Sequence, residues 1–140
     1  MSHRHNALQD VWGGCVSNKY FAKKITSGDA TYASTKEYYR HCELMLLERA
    51  GKITDLQTQV PYELIPAQYE SYERYGKNGK RLKDGKRCIE RAVVYYADFV
   101  YRENGILVVE DTKSPATRTE AYIIKRKLML QVHGIKIKET

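Results

Sequence analysis

The sequence predicts an α/β fold built on a mixed sheet, and three features predict it. A capped amphipathic segment over 35–50 reads as a helix, two apolar runs joined by Asn104-Gly105 read as a strand hairpin, and a second amphipathic segment follows Pro115.

Each element follows from local chemistry. Ser34-Thr35-Lys36-Glu37 has capping-box spacing, in which the Ser34 hydroxyl accepts from the amide three residues on and Glu37 reaches back. Behind it Tyr39, Cys42, Leu46 and Ala50 recur at helical spacing, with Leu44, Met45 and Leu47 beside them. Gly51 supplies the left-handed residue that ends a helix, so the predicted helix is Thr35–Ala50. Ile53–Leu56 leads into Gln57–Ile65, where Val60, Tyr62 and Leu64 alternate with polar neighbours; Pro61 marks an edge or a strand entry.

From Pro66 to Arg91 the chain is polar, carries Gly76, Gly79 and Gly85, and reads either as a long hairpin or as a basic loop. Within it Tyr69, Tyr72 and Tyr75, three residues apart, read as one side of a short helix that packs on the core or forms a lid. Ala92–Tyr101 and Ile106–Lys113 are the two best strands. Val93, Tyr95 and Phe99 line one face of the first, and Val94, Tyr96 and Val100 the other, which places it centrally. Asn104-Gly105 is a strong two-residue hairpin signal. The second helix, Thr119–Val132, turns Tyr122, Ile123, Leu128, Leu130 and Val132 inward and exposes Lys125, Arg126 and Lys127. Gly134 caps it, and Ile135-Lys136-Ile137 reads as a last short strand. The hairpin is expected at or near the centre of the sheet, with the Glu37 helix on one face and the basic helix on the other.

Length and composition bound the function. The chain has 140 residues, 42% hydrophobic and 29% charged, which suits one globular domain. Residues 1–19, with Trp12 and Gly13-Gly14, read as an N-terminal arm, and 20–140 as a single domain. No apolar run reaches the roughly 18 residues of a membrane span, and Met1–Asp10 lacks the apolar segment of a secretory leader. Cys15, Cys42 and Cys88 form no CxxC pair, which predicts reduced thiols and a cytoplasmic setting. Four clustered soft ligands for structural zinc are absent from the pattern. With 24 Lys+Arg against 17 Asp+Glu the net charge is +7, and there are 12 Tyr. A basic, tyrosine-rich chain suits a polyanionic partner.

Strand register exposes the candidate chemistry. A two-residue Asn104-Gly105 loop pairs Glu103 with Ile106, and Asp98 and Asp111 each lie five residues beyond that pair, so they face one another. Directly opposed Cβ atoms sit about 4.5–5.5 Å apart, where like charges are destabilising. Lys113 shares the face of Asp111 by the period of two, while Glu110 and Thr112 point the opposite way. A surface acidic pair bridged by a lysine is the simpler reading of a lone Asp-x-Lys. The flanking Val94, Tyr96, Val100, Leu107 and Val109 favour instead a site for a divalent cation, Mg²⁺ or Mn²⁺.

In order, Asp98, a hairpin and Asp111-Thr112-Lys113, behind a helix carrying Glu37, resemble the signature of the PD-(D/E)XK nuclease superfamily. The blocks Leu47-Glu48-Arg49-Ala50-Gly51-Lys52-Ile53, Tyr62-Glu63-Leu64, Tyr96-Ala97-Asp98-Phe99 and Val109-Glu110-Asp111-Thr112-Lys113 are similar to those of its small phage-encoded members. So is Thr119-Glu120 with Tyr122, Lys125 and Gly134-Ile135, and the resemblance covers about Tyr20 to Ile137. Ala97 stands where that family has proline, and Asp111 where it more often has glutamate.

The resemblance implies a restriction-endonuclease-like sheet flanked by helices on both faces. It implies Mg²⁺ (or Mn²⁺) held by Asp98, Asp111 and Glu37, with Glu43 as the alternative helix carboxylate, and Lys113 activating or orienting the attacking water. A lysine beside cations and partly buried is expected to have a depressed pKa. Lys77, Lys80, Arg81, Lys83, Lys86 and Arg87 in the central segment, with Arg118, Lys125, Arg126 and Lys127 near the last helix, would then track phosphates. Minimal members of the superfamily resemble Holliday-junction resolvases, which implies a homodimer acting on branched DNA. The alternatives are a nicking, flap or DNA-processing nuclease of the same chemistry, an inactive nucleic-acid-binding protein, and an RNA-associated module.

Overall fold

A computed structural model of the chain describes residues 16–17, 23–28 and 30–140. Most of the predicted arm, 1–19, lies outside the described residues; within that range Val16–Ser17 forms a short strand. The chain forms two compact units. One comprises the chain up to Leu56 together with Tyr101–Leu107, and the other Gln57–Val100 together with Val108–Thr140.

In the first unit β1 (Val16–Ser17), β2 (Lys23–Ser27) and β3 (Ala30–Tyr32) form a sheet in that order, antiparallel throughout. Gly28, at φ +60°, follows β2. Helix α1 (Thr35–Arg49) follows, and the Ser34 hydroxyl accepts from the Glu37 amide at 3.2 Å as the capping box requires. Glu37 Oε2 reaches back one residue further than that motif predicts and accepts from the Ala33 amide at 2.9 Å. Gly51, at φ +71°, ends the helix.

The buried line of α1 differs from the predicted one. Glu37 and Leu44 are buried two turns apart, whereas Tyr39 and Leu46 are 60% and 63% exposed. Positions separated by seven share a helical face, so two apolar stripes compete, and packing selects the one through Leu44. Tyr32 contacts His41 Nδ1 through its hydroxyl at 2.6 Å and meets the Tyr38 ring edge-on at 5.3 Å.

Strand β4 (Ile53–Ile65) passes from the first unit into the second. Asp55 and Gln59 both have positive φ, 55° and 52°, and interrupt its pleat. The four-stranded mixed sheet has the order β4-β7-β8-β9, with β7 (Val93–Glu103), β8 (Ile106–Asp111) and β9 (Lys138–Glu139). The β7–β8 hairpin occupies its two central places, and β4 with Pro61 lies at an edge, as predicted. Asn104 and Gly105 have φ of 52° and 77°, which is the pattern of a type I′ turn. The last strand is β9, which runs parallel to β8 with Glu110 opposite Lys138 and Asp111 opposite Glu139. It starts after Ile137, later than the predicted 135–137.

Between β4 and β7, β5 (Gln68–Tyr75) and β6 (Arg81–Glu90) form a separate antiparallel ribbon, so the hairpin reading of 66–91 holds. The predicted tyrosine-lined helix is not formed. Tyr69, Tyr72 and Tyr75 lie in β5 and are 62%, 44% and 59% exposed, because cross-strand pairing imposes a period of two on residues spaced by three.

After a single 3₁₀ turn at Pro115–Thr117, α2 (Glu120–His133) starts at Thr119, whose hydroxyl accepts from the Tyr122 amide at 3.2 Å. It ends at Gly134 in the left-handed region. The core of the second unit gathers Leu64, Tyr95, Ala97, Val100, Val109, Tyr122, Met129 and Ile137. Leu130 and Val132, predicted inward, are about half exposed at 56% and 49%, and Met129 is fully buried in their place. Tyr96 is likewise 57% exposed. The β7 stretch from Ala97 to Tyr101 is nonetheless buried at four of five positions, as suits a central strand.

Candidate active site

Asp98 on β7 and Asp111 at the end of β8 come together. The Asp111 side chain is 2% exposed, and its carboxyl is pushed up to about 7 from an ordinary 3.8. Burial is the largest cause and the Asp98 carboxyl beside it the next. The Tyr95 hydroxyl and the Lys113 charge act in the opposite direction without cancelling the rise. Two carboxyls in contact on a desolvated face cannot both ionise freely without a positive partner. The predicted juxtaposition is present.

Each oxygen has a distinct role. Tyr95 donates to Asp111 Oδ2 at 2.8 Å, entirely within the interior. Asp111 Oδ1 is buried and makes no hydrogen bond, with Lys113 Nζ 3.2 Å away as an ion pair. Asp98 Oδ2 accepts from both the amide and the hydroxyl of Thr112, at 2.9 and 2.7 Å. Asp98 Oδ1 accepts from Gln59 Nε2 at 3.3 Å. Lys113 Nζ also stands 4.7 Å above the centre of the Tyr122 ring, a cation–π arrangement. Asp111 and Lys113 line an open cleft of about 290 Å³ with Tyr95, Tyr96, Tyr122 and Lys125.

The alternation expected beyond β8 is corrected at one position. Glu110 does point away from the pair: it is fully buried, accepts from the Thr140 hydroxyl at 3.1 Å and lies 3.7 Å from Lys138 Nζ. Thr112 does not point away, because the strand ends at Asp111 and the period of two lapses there. The main chain continues beside β9 instead, with Lys113 N donating to Thr140 O and Thr140 N to Asp111 O. The turn brings the Thr112 amide and hydroxyl onto Asp98.

Glu37 is buried at the start of α1 in the first unit, where its carboxylate serves the Ala33 amide. Among the described residues no group of three or more His, Cys, Asp or Glu side chains is arranged to hold a metal ion. The aspartate pair nevertheless fits a hard divalent cation. Mg²⁺ is commonly held by one or two carboxylates, with water and substrate phosphate completing its shell. A buried carboxylate oxygen that lacks a hydrogen bond is a suitable donor.

The predicted basic surface divides in two. On the ribbon Arg81 pairs with Glu73 and Asp84 at 3.5 and 3.4 Å, and Arg87 pairs with Glu70. Lys77, Lys80, Lys83 and Lys86 have no ion pair among the described residues and are exposed. Near α2 the expected exposure is corrected. Arg118 and Arg126 both grip Glu139, at 2.7 and 2.6 Å, and Lys125 donates to the Val94 carbonyl at 2.9 Å; Lys125 and Arg126 are half-buried, while Arg118 and Lys127 are exposed. Glu139 on β9 holds its charge below the usual carboxylate range, chiefly through the Arg126 hydrogen bond. A carboxylate thirteen or more residues away in sequence decides where the two arginines point.

Gln59, Tyr95 and Thr112 are site residues to which the sequence analysis gave no role in the site. Only Gln59 carried a local signal, a polar residue inside a strand pattern. The profile of one family, described as a protein of unknown function (DUF1064), matches residues 17–139. The chain belongs to the DUF1064 family. No curated protein and no solved structure matches it significantly. The matched range contains every site residue discussed above, so the candidate site lies inside the family's common region.

Proposed function

We propose that this DUF1064 protein is a divalent-metal-dependent endonuclease that hydrolyses DNA phosphodiester bonds. One observation carries the reading: half-buried Asp98 stands beside buried Asp111, one oxygen of Asp111 lacks a hydrogen bond, and Lys113 Nζ is 3.2 Å from it. The resemblance of the ordered motif blocks to the PD-(D/E)XK superfamily supports it. A bound Mg²⁺ or Mn²⁺ would supply Lewis-acid charge at the scissile phosphate and favour deprotonation of water.

The chain's own residues have separable tasks. Asp98 and Asp111 hold the cation, and Tyr95, Thr112 and Gln59 fix their orientation through four hydrogen bonds. Lys113, whose ammonium stands 3.2 Å from Asp111 Oδ1, would orient a phosphate oxygen or the attacking water. Glu37 is the remaining carboxylate that the superfamily pattern assigns to such a site. Branched DNA is the preferred substrate and a homodimer the working form, since symmetric cleavage of a four-way junction needs two active sites.

Labelled duplex, flap and four-way-junction DNA incubated with the purified protein and Mg²⁺ or Mn²⁺ test the proposal. Cleavage that vanishes with EDTA and in Lys113→Ala, while that variant still binds DNA, is the expected result. Paired symmetrical nicks restricted to the junction identify a resolvase. Undiminished turnover by Lys113→Ala, or no cleavage of any substrate by the native protein, overturns it.

A further inference from the structure

We infer that the β5–β6 ribbon is an arm that lies in the major groove of duplex DNA. The inference rests on the nuclease reading only in taking DNA as the polymer; it does not use the aspartate site. Gln68–Tyr75 and Arg81–Glu90 pair along nearly their whole length, yet every residue of the two strands is exposed or half-exposed except Gly85. Isolated two-stranded ribbons are marginally stable in water. This one is held by its own cross-strand contacts. The Tyr72 ring lies so close over Gly85 that a Cβ there would come within 2.5 Å of it, and Glu70 pairs with Arg87 directly opposite.

Both faces of the ribbon present aromatic or aliphatic area to solvent. Tyr69 and Tyr75 are 62% and 59% exposed on one face, and Leu82 and Ile89 are 44% and 51% exposed on the other. A face that packed on a protein core would concentrate its apolar residues on one side. Charge then selects the occupant. Residues 68–91 carry eight Lys/Arg against four Asp/Glu, a net of +4. Three of the four acids are already engaged by Arg81 and Arg87, so the lysines form the unbalanced set. Lys77 and Lys80 stand at the tip, a tight bend closed by Gly76 N donating to Lys80 O and Gly79 N to Gly76 O.

Dimensions agree with this occupant. The eight residues of β5 at about 3.3 Å each give an arm of roughly 26 Å. The major groove of B-DNA, about 12 Å wide, admits a two-stranded ribbon. Edge pairing with a second copy is opposed by repulsion between two arms of equal positive charge and by the register irregularity between Tyr72 and Arg74.

The test measures DNA binding by the full chain carrying Asp111→Asn, in EDTA, so that cleavage plays no part. The probes are a 30-base-pair duplex, the same duplex with glucosylated hydroxymethylcytosine, whose sugar fills the major groove, and the equivalent RNA duplex. Affinity at least tenfold weaker for the glucosylated and RNA duplexes is expected, because the deep, narrow major groove of RNA excludes the arm. Lys77→Ala/Lys80→Ala is expected to lower the slope of log affinity against log salt by about two, one per lysine, with an unchanged melting temperature. Equal affinity for plain and glucosylated DNA overturns the inference. So does a salt slope unaltered by the double substitution, or a change of oligomeric state in that variant without a change in DNA affinity. Groove-dependent binding by a native protein that cleaves nothing leaves the arm standing and removes the hydrolase; cleavage without groove dependence does the reverse.

Discussion

Thr112 directs two donors at one oxygen of Asp98, its amide at 2.9 Å and its hydroxyl at 2.7 Å from Oδ2. The middle residue of the Asp-x-Lys motif thereby orients the carboxylate of the neighbouring strand. Thr112→Val keeps the shape and the amide but removes the hydroxyl donor, a net loss of about 1 kcal/mol for an ordinary hydrogen bond, with the Thr112 amide still serving the same oxygen. Mn²⁺ affinity measured by calorimetry is expected to fall about fivefold, with the fold retained. Unchanged affinity would show that the hydroxyl is not a positioning group.

Asp111→Asn is expected to stabilise the protein in EDTA at pH 8. The native carboxyl holds its proton up to about pH 7, whereas the unfolded chain releases it near 3.8. Between these values the folded state binds more protons, so stability falls as pH rises from about 4 to 7 and stays lower above. The three-unit difference corresponds to at most about 4 kcal/mol. Melting curves of both proteins from pH 4 to 8 should converge at the acid end, separate progressively up to about pH 7 and stay apart above it. Saturating Mn²⁺ should reverse the order, because only the aspartate gains from the ion.

Tyr95→Phe removes the one hydrogen bond to Asp111 Oδ2 and leaves a buried carboxylate without a donor. The expected cost is about 1–3 kcal/mol at pH 8. Since the Tyr95 hydroxyl holds the Asp111 pKa down, its loss raises that value further, and the cost should shrink as the carboxyl protonates at lower pH. Urea unfolding at pH 8 and pH 5 measures both effects. An equal cost at the two pH values would contradict the assignment.

Gln59 combines a positive φ of 52° with a hydrogen bond to Asp98 Oδ1. A non-glycine residue in the left-handed region carries a penalty of about 1–2 kcal/mol. Gln59→Gly relieves it and deletes the side-chain donor. The variant is expected to melt at or above the native temperature while nuclease turnover drops about tenfold. A joint loss of stability and activity would mean that the conformation serves folding alone.

Much of this site is legible in one dimension because its determinants are short-range. Asn104-Gly105 demands positive φ at two successive residues, and strand periodicity then carries Asp98 and Asp111 to the same face without further information. Ser34, Gly51, Thr119 and Gly134 likewise mark helix ends through bonds that close within one turn. Glu37 was legible as a cap, and as a site residue only through the resemblance.

What the amino-acid order alone determined was the α/β class, the central hairpin, the two helices and the union of Asp98, Asp111 and Lys113, since each depends on turn chemistry or periodicity over a few residues. Tertiary structure alone decided which stripe of α1 is buried, that Tyr69, Tyr72 and Tyr75 stand on an exposed ribbon, that Thr112 turns to Asp98, and that Glu139 draws in Arg118 and Arg126. In those cases several partners were equally compatible with the local pattern. Packing and charge pairing between residues distant in the chain selected among them.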